Sequence, residues 1–376
     1  MGANHRAGAR GERGNGAAVN AKRGEEIANA VLYEGYMLYP YRPSSVKNRQ
    51  RWNFGVVYPK AYSEMQSGAD SWFMQTECLV SAGAATSLSV KVRFLQAVAR
   101  TIGQLHEPMD ELPDGRRRGK EPDFQIVDTL QVGDQILQSW QEAVEREIVL
   151  PTFRVVHGGS AHRSALQEFS GGSEFEAIRG EDGRTAALIV RTKQAIAAEV
   201  DVHVQSVQDG LFKITALVAN RSQATESISA SRDAALMHSL LSAHTVLGVD
   251  GGEFVSLLDP PAPLKEIASA CQNLGTWPVL VGEEGERDAM LSSPIILYDY
   301  PQIAPESPGN LFDGTEIDEI LALRILTLTD DEKREMQHAD ARSRQILERT
   351  EALPAEHFMK LHGVLRGLRP ASEEKP

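Results

Sequence analysis

Apolar and polar residues alternate with a period of two along several segments of the first 300 residues. Over residues 88–94, leucine, valine and phenylalanine alternate with serine, lysine and arginine. This period is typical of a β-strand with one buried face, because successive side chains point to opposite faces. The pattern also predicts a strand over residues 72–80, and the small residues 81–86 lie between the two segments. The pattern predicts a half-buried β-hairpin with its turn at residues 81–86.

A second group of strands is predicted further along the chain. Asp209-Gly210 and Asp250-Gly251-Gly252 each separate two such segments. Glycine adopts positive φ at little cost, so both sequences favour hairpin turns. The strands predicted in this region are 186–190, 198–205, 212–218, 240–249 and 254–258.

Residues 124–149 are also predicted to form strands, although 140–148 suits a short helix as well. Glycine pairs at 158–159 and 171–172 indicate a loop zone. Strands and turns at short spacing are typical of a sandwich or barrel. The sequence therefore predicts a mainly β protein of the α+β class, with an antiparallel β-sandwich or barrel-like core and a C-terminal helical module.

The pattern changes at residue 300, where prolines become frequent and helix signals follow. Proline fixes φ and lacks an N–H, so residues 300–314 are expected to be an extended connector. Thr315 and Thr329 each precede an acidic residue by three positions, which is typical of a helix capping box, and Pro354 can open a last helix over 355–368. The predicted organisation is a disordered tail at 1–26, an N-terminal β-rich domain at 27–150, a second β-rich domain at 151–299, the connector at 300–314 and the helical module at 315–376.

The chain is acidic, with 39 basic and 52 acidic residues and a formal net charge of −13. Non-specific binding to nucleic acid or to anionic membranes requires clustered positive charge, so neither partner is predicted. No apolar run suits a membrane span or a secretion signal, and a cytoplasmic location is expected. Cys78 and Cys271 fit no disulfide framework or metal-ligand spacing, which agrees with a reducing compartment.

The residue spacings that mark common enzyme classes are absent from the sequence. The segment 115–120 (GRRRGK) is one residue short of a phosphate-binding loop and is interpreted as a solvated basic loop. His238 and His244 would lie roughly 20 Å apart along a strand, so they are interpreted as structural histidines rather than joint metal ligands. No catalytic residue, cofactor or metal site is predicted.

An enzyme whose site is built from scattered residues is an alternative. His157, His162 and Glu174 lie within or beside the glycine loops at 157–174. Convergence of these side chains in a pocket would favour an enzyme, whereas a surface loop would argue against one. A structural subunit of a larger complex is a further alternative.

Two segments have the composition of protein-binding surfaces. One, near the N-terminus, interleaves tyrosine and tryptophan with arginine, the residue types that dominate interface hot spots. The other gathers eight carboxylates within residues 313–335, many of which helix N-termini also explain. The predicted partner-binding residues are Tyr36, Tyr39, Tyr41, Arg42, Arg49, Trp52, Asp313, Glu316, Asp318 and Glu319.

Three longer blocks carry a family resemblance. They are LYEGYMLYPYRPSSVKNRQRWNFGVVYP at 32–59, SSPIILYDYPQIAPESPGNLFDGTEIDEILALRILTLTDDEK at 292–333 and LHGVLRG at 361–367. Over residues 27–368 the chain resembles a bacterial family of conserved hypothetical proteins encoded near actinobacterial-type, oxygen-tolerant nickel-iron (NiFe) hydrogenases. The resemblance implies an accessory or assembly protein whose partners are hydrogenase subunits or maturation proteins. It supplies no known catalytic residues.

Overall fold

Strands dominate the computed structural model of the chain. The residues described are 26–29, 31–32, 54–110, 122–133, 135–155, 160–223, 231–302, 325, 328–338, 344, 347–348 and 350–352. The strands are β1 Phe73–Met109, β2 Phe124–Val127, β3 Thr129–Val132, β4 Gln135–Gln138, β5 Trp140–Arg154, β6 Ser160–Phe169, β7 Gly172–Arg179, β8 Thr185–Lys193, β9 Ile196–Gln208, β10 Leu211–Asn220, β11 Leu241–Phe254, β12 Trp277–Leu280 and β13 Ala289–Ser293. The helices are α1 Lys60–Met65, α2 Arg232–Leu236, α3 Lys265–Ser269 and α4 Asp330–His338, with a 3-10 turn at Ala262–Leu264. The predicted mainly β class is confirmed.

Eleven of the described strands form one antiparallel sheet. Its central order is β12-β13-β11-β1-β10-β9-β6, while β2, β5 and β8 pair with β1, and β7 pairs with β8. Strands β3 and β4 form a separate pair. Over the described residues the large sheet does not close into a barrel. Strands from residues 27–150 and from residues 151–299 belong to this one sheet, and β5 runs across residue 150.

Strand β1 runs through the sheet as one continuous element. From its start to its end, one edge of β1 pairs with β10, then β5, then β2. The other edge pairs with β11 and then with β8. The hairpin turn predicted at residues 81–86 is therefore wrong. Here β1 advances from Ala82 to Ser87 while β11 moves only from Gly252 to Asp250, so the extra residues form a bulge. Small residues suit a bulge as well as a turn, and pairing before and after the bulge keeps the chain extended.

Strand β11 likewise continues through Asp250-Gly251-Gly252, so the hairpin predicted there is wrong. Gly251 has a φ of 73°, and its carbonyl accepts a hydrogen bond from Thr86 Oγ1 at 2.6 Å. A Cβ on Gly252 would lie 2.9 Å from the carbonyl oxygen of Ser81. These glycines therefore serve the close approach of two bulged strands, not a chain reversal.

The hairpin predicted at Asp209-Gly210 is confirmed. Strands β9 and β10 pair antiparallel on either side of it, and Gly210 has a φ of 71°. The valines at alternate positions of β9 are buried, whereas Asp201 and His203 between them face the solvent side. The period-two pattern thus assigns the two faces of β9 correctly.

The strands predicted within residues 124–149 are confirmed, and the helix alternative for 140–148 is wrong because β5 pairs with β1 throughout this segment. The glycine loop zone is partly wrong, since β6 and β7 occupy most of it. Gly171 lies between these strands, where a Cβ would be 2.7 Å from the backbone nitrogen of Ala195. Glycine permits this close contact between neighbouring segments.

The main core lies against the apolar faces of β1, β9, β10 and β11. Phe94, Phe212 and Phe254 are its largest fully buried side chains. The ring of Phe94 meets that of Phe169 edge to face, with a centroid distance of 5.5 Å. Burying one such ring contributes about 1.5–3 kcal/mol, so the core dictates which face of each strand is exposed.

Helix α4 begins with the capping box predicted at Thr329, which is confirmed. The backbone N–H of Glu332 donates to Thr329 Oγ1 at 3.3 Å, and the backbone N–H of Thr329 donates to Glu332 Oε2 at 2.5 Å. Met336 of this helix is buried, and the helix contacts β4. The reciprocal bonds satisfy two amide groups that the first helical turn leaves unpaired.

Several other C-terminal and N-terminal predictions fall outside the described residues. They concern the disordered tail up to residue 25, almost all of the connector 300–314, the capping box at Thr315 and the helix at 355–368. Each stays a prediction.

Substituting Thr329 by alanine is expected to destabilise α4 by about 1 kcal/mol, because the first turn loses its side-chain acceptor. Amide hydrogen exchange over α4 should accelerate, while exchange in β9 and β10 stays unchanged. Thr329→Ser retains a hydroxyl acceptor and is the matched control. Equal exchange rates in Thr329→Ala and wild type would contradict a capping role.

Candidate functional site

The ten residues predicted to bind a partner lie outside the described part of the chain, and their role stays a prediction. They are Tyr36, Tyr39, Tyr41, Arg42, Arg49, Trp52, Asp313, Glu316, Asp318 and Glu319. The surfaces described below come from other residues.

Two residues of the enzyme alternative, His162 and Glu174, are described and have separate surroundings. His162 lies on β6, whereas Glu174 lies on β7 and accepts a hydrogen bond from Lys193 Nζ at 2.7 Å. This hydrogen bond and the charge of Lys193 lower the pKa of Glu174. His157 is outside the described residues. Glu174 is thus engaged in an ion pair across β7 and β8, and His162 has a different carboxylate partner.

Asp201, the carboxylate partner of His162, forms a cluster with His162 and His203 on the exposed face of the sheet. Asp201 and His203 are two residues apart on β9, so their side chains point to the same face. His162 on β6 is paired directly with His203. Strand pairing therefore places His162 of β6 next to Asp201 and His203 of β9, although it lies far from them in the sequence.

Both imidazoles approach the same carboxylate. His162 Nε2 lies 2.9 Å from Asp201 Oδ2, and His203 Nε2 lies 2.7 Å from Asp201 Oδ1. The two rings stack with centroids 4.2 Å apart and an angle of 12° between their planes. The side chains of His162 and His203 are 52% and 59% exposed, and that of Asp201 is 23% exposed. Two nitrogens and a carboxylate thus converge at a surface that solutes can reach.

The sequence carried a partial signal for this cluster. Asp201 and His203 occupy polar positions of a clearly alternating strand, but such positions are most often simply solvated. Only the register of β6 against β9 reveals that a second histidine lies opposite. The sequence groups His162 with Glu174, but in the structure Glu174 instead pairs with Lys193.

Glu77 is a buried carboxylate that the sequence reading missed. On β1, its Oε1 accepts hydrogen bonds from Lys213 Nζ at 2.9 Å and Thr215 Oγ1 at 3.1 Å, and its Oε2 accepts one from the backbone N–H of Gln272 at 2.9 Å. The side chain of Asn273 bonds both backbone groups of Glu77. Glu77 thus fastens the segment before β12 onto β1, which is a structural role.

The histidines His238 and His244 are both buried, in agreement with their structural interpretation. His244 lies on β11, and its Nδ1 is 2.7 Å from the carbonyl oxygen of Ser242. Burial lowers the pKa of His244 to about 4, and the charge of the neighbouring Arg93 acts in the same direction. His238 precedes β11. Its pKa is also lowered by burial.

Cys78 and Cys271 are both free thiols. Burial raises the pKa of both thiols, that of Cys271 to about 11. A nucleophilic cysteine needs a lowered pKa, because the thiolate is the reactive form. These environments therefore suit packing.

The edge of the sheet at β12 is covered by the chain that follows β13. The backbone N–H of Tyr300 donates to the carbonyl of Leu280 at 2.8 Å, and the N–H of Leu280 donates to Asp299 Oδ1 at 2.8 Å. Pro278, also on β12, has no N–H to offer. This edge is therefore poorly suited to adding a further strand.

The covering segment has one apolar side turned outward. Ile295 and Leu297 pack into a small core cluster beside β12, whereas Ile296 and Tyr298 are 71% and 83% exposed. Trp277, at the start of β12, is 44% exposed. Ile296, Tyr298 and Trp277 are called the edge surface below.

Comparison of the chain with protein-family models and with curated proteins finds no match. Within the described residues, no helix combines the length and apolar character that crossing a bilayer requires.

Proposed function

We propose that this protein is a non-enzymatic accessory or assembly factor that acts by binding another protein. The partner is a subunit or maturation protein of a NiFe hydrogenase, and the two proteins bind each other in the cytoplasm. Support for this partner comes from the three sequence blocks and the family they resemble. Support for a binding role comes from the edge surface.

The exposure of Ile296 and Tyr298 is the observation that carries the binding role. Both residues belong to the second resemblance block, 292–333, and alternate with buried neighbours on a segment bonded to the sheet. Their direction is therefore fixed by the core. Large apolar side chains held outward on a rigid edge are typical of contact surfaces, where aromatic residues contribute most.

The mode of binding follows from the same edge. Asp299 and Tyr300 occupy the backbone groups of Leu280, so an incoming strand finds few free partners there. The protein partner is therefore expected to dock against side chains of the edge surface. The net charge of −13 favours a partner with a basic rim.

Affinity purification from the native host, followed by mass spectrometry, tests the partner. The full-length chain is expected to recover a hydrogenase subunit or maturation protein. Recovery of neither would overturn the hydrogenase assignment.

Substitution of Ile296 or Tyr298 by aspartate is expected to weaken binding of that partner at least about tenfold, since a hot-spot residue contributes ~2 kcal/mol or more and ~1.4 kcal/mol is tenfold. Calorimetry or surface plasmon resonance with the purified partner measures the change. Leu166→Asp is the control, because Leu166 is 59% exposed on β6 at the opposite end of the sheet order. Equal loss in all three variants would contradict a binding role of the edge surface.

A further inference from the structure

We infer that His162, Asp201 and His203 bind a divalent transition-metal ion of the zinc class. This site is separate from the edge surface and goes beyond the proposed partner binding. It also departs from the expectation of no metal site that the sequence alone provides.

The donor atoms already converge. In the described part of the chain these three residues form a group whose ligand atoms all lie within 4.8 Å of one another. Imidazole nitrogen and carboxylate oxygen bind Zn²⁺ at about 2.0–2.2 Å, so two ligands of a tetrahedral ion stand roughly 3.4 Å apart. The distances of 2.9 Å from His162 Nε2 to Asp201 Oδ2 and 2.7 Å from His203 Nε2 to Asp201 Oδ1 need to widen by about 0.5–0.7 Å to reach this spacing. The two stacked rings must also turn out of their near-parallel arrangement, because the lone pair of each Nε2 lies in its ring plane. Rotation of the exposed side chains accomplishes both changes.

The strands hold the three ligands ready. Asp201 and His203 are fixed on β9 by the buried valines between and beside them, and β6 holds His162 opposite His203. Side chains on strands are placed more accurately than those on loops. A bound ion therefore requires reorientation of side chains only.

The donor set selects the class of ion. Two imidazoles and one carboxylate suit Zn²⁺, Co²⁺, Ni²⁺ and Cu²⁺, whereas Mg²⁺ and Ca²⁺ prefer oxygen ligands and Cu⁺ prefers sulfur. Three protein ligands leave at least one coordination position to water, as in catalytic zinc sites. The exposure of both histidines places this open position towards solvent.

Isothermal titration calorimetry of the tag-free, metal-stripped, full-length chain with ZnCl₂ tests the site. One ion per chain is expected, and MgCl₂ should give no binding. His162→Gln, His203→Gln and Asp201→Asn should each weaken Zn²⁺ binding at least about tenfold, the lower end of the cost of losing even an outer-shell partner. Co²⁺ gives a second readout, because its visible absorption bands should appear with wild type and fade in the variants.

His106→Gln is the matched control. His106 is likewise exposed and lies 4.0 Å from Asp123, without the second histidine of the proposed site. This variant should bind Zn²⁺ as wild type does.

Melting of each metal-free variant near the wild-type temperature establishes that the sheet is intact, and the two histidine variants provide independent tests. Absence of Zn²⁺ binding in wild type, or unchanged binding in both His162→Gln and His203→Gln, would overturn the inference. Neither outcome bears on partner binding at the edge surface.

Discussion

Replacing Glu77 by glutamine is expected to lower the free energy of unfolding by about 2 kcal/mol, within the range for losing hydrogen bonds to a charged, partly buried group. Glu77 uses both carboxylate oxygens as acceptors, for Lys213 and Thr215 on one side and the Gln272 N–H on the other. Glutamine has one acceptor oxygen, so its NH₂ group must face one of these donors in either orientation. A partly buried donor then loses its partner.

Urea unfolding at neutral pH measures this effect. Glu174→Gln is the matched control, because Glu174 also meets a lysine, Lys193 at 2.7 Å, but its side chain is 68% exposed. An exposed pair contributes at most ~1 kcal/mol, so this control should change stability little. Similar losses in the Glu77 and Glu174 variants would contradict the anchoring role of Glu77.

The pH dependence of Glu77 has a defined sign. Burial alone would raise its pKa, but hydrogen bonds from Gln272 and Lys213 outweigh burial and lower it. The folded state therefore binds its proton less readily than the unfolded state, whose glutamate pKa is ~4.3. The stability that Glu77 contributes is present above this pH and is lost as the pH falls below it. The acid-induced loss of stability in this range should be smaller in Glu77→Gln.

Acidification from pH 6.5 to 4 is expected to remove about 3 kcal/mol of stability through His244. The pKa of this buried imidazole is lowered to about 4, against ~6.5 in an unfolded chain. Between these values the unfolded state binds the proton and the folded state does not, so stability falls as the pH falls. At ~1.4 kcal/mol per pKa unit, the gap amounts to about 3 kcal/mol.

Unfolding free energies at several pH values between 7 and 4 test this expectation. His244→Gln has no titrating side chain, so its stability should change less over this interval than that of wild type, whatever its stability at neutral pH. His106→Gln removes an exposed histidine instead and should keep the wild-type slope. A wild-type slope in His244→Gln would exclude His244 as the source. The Glu77 effect lies at lower pH, which separates the two groups.

Local sequence was sufficient to predict an element where all the residues that determine it are neighbours in the chain. The valine alternation of β9 and the Asp209-Gly210 turn identified a hairpin and its two faces, because both depend on neighbouring residues alone. The capping box at Thr329 is equally local, since its two hydrogen bonds span three residues. Such features need no knowledge of distant partners.

Small and flexible residues gave wrong turn predictions at two places in the sequence. The segment 81–86 and Asp250-Gly251-Gly252 satisfy the requirements of a turn, yet both become facing bulges in long strands. Their local conformational preferences permit either outcome. The choice came from hydrogen bonds to β5, β10 and β11, whose residues are far away in the chain.

By itself, the sequence determined that the chain is mainly β, which residues of its regular strands face the core, and where one hairpin turn and one helix start lie. These properties follow from side-chain alternation and from the conformations that individual residues allow. Only the tertiary structure decided which strands are neighbours. That choice brought His162 opposite His203, buried Glu77 beneath the Gln272 segment and turned Ile296 and Tyr298 outward. Strand neighbours are selected by long-range backbone hydrogen bonding and shared apolar burial, which alternation within one segment does not encode.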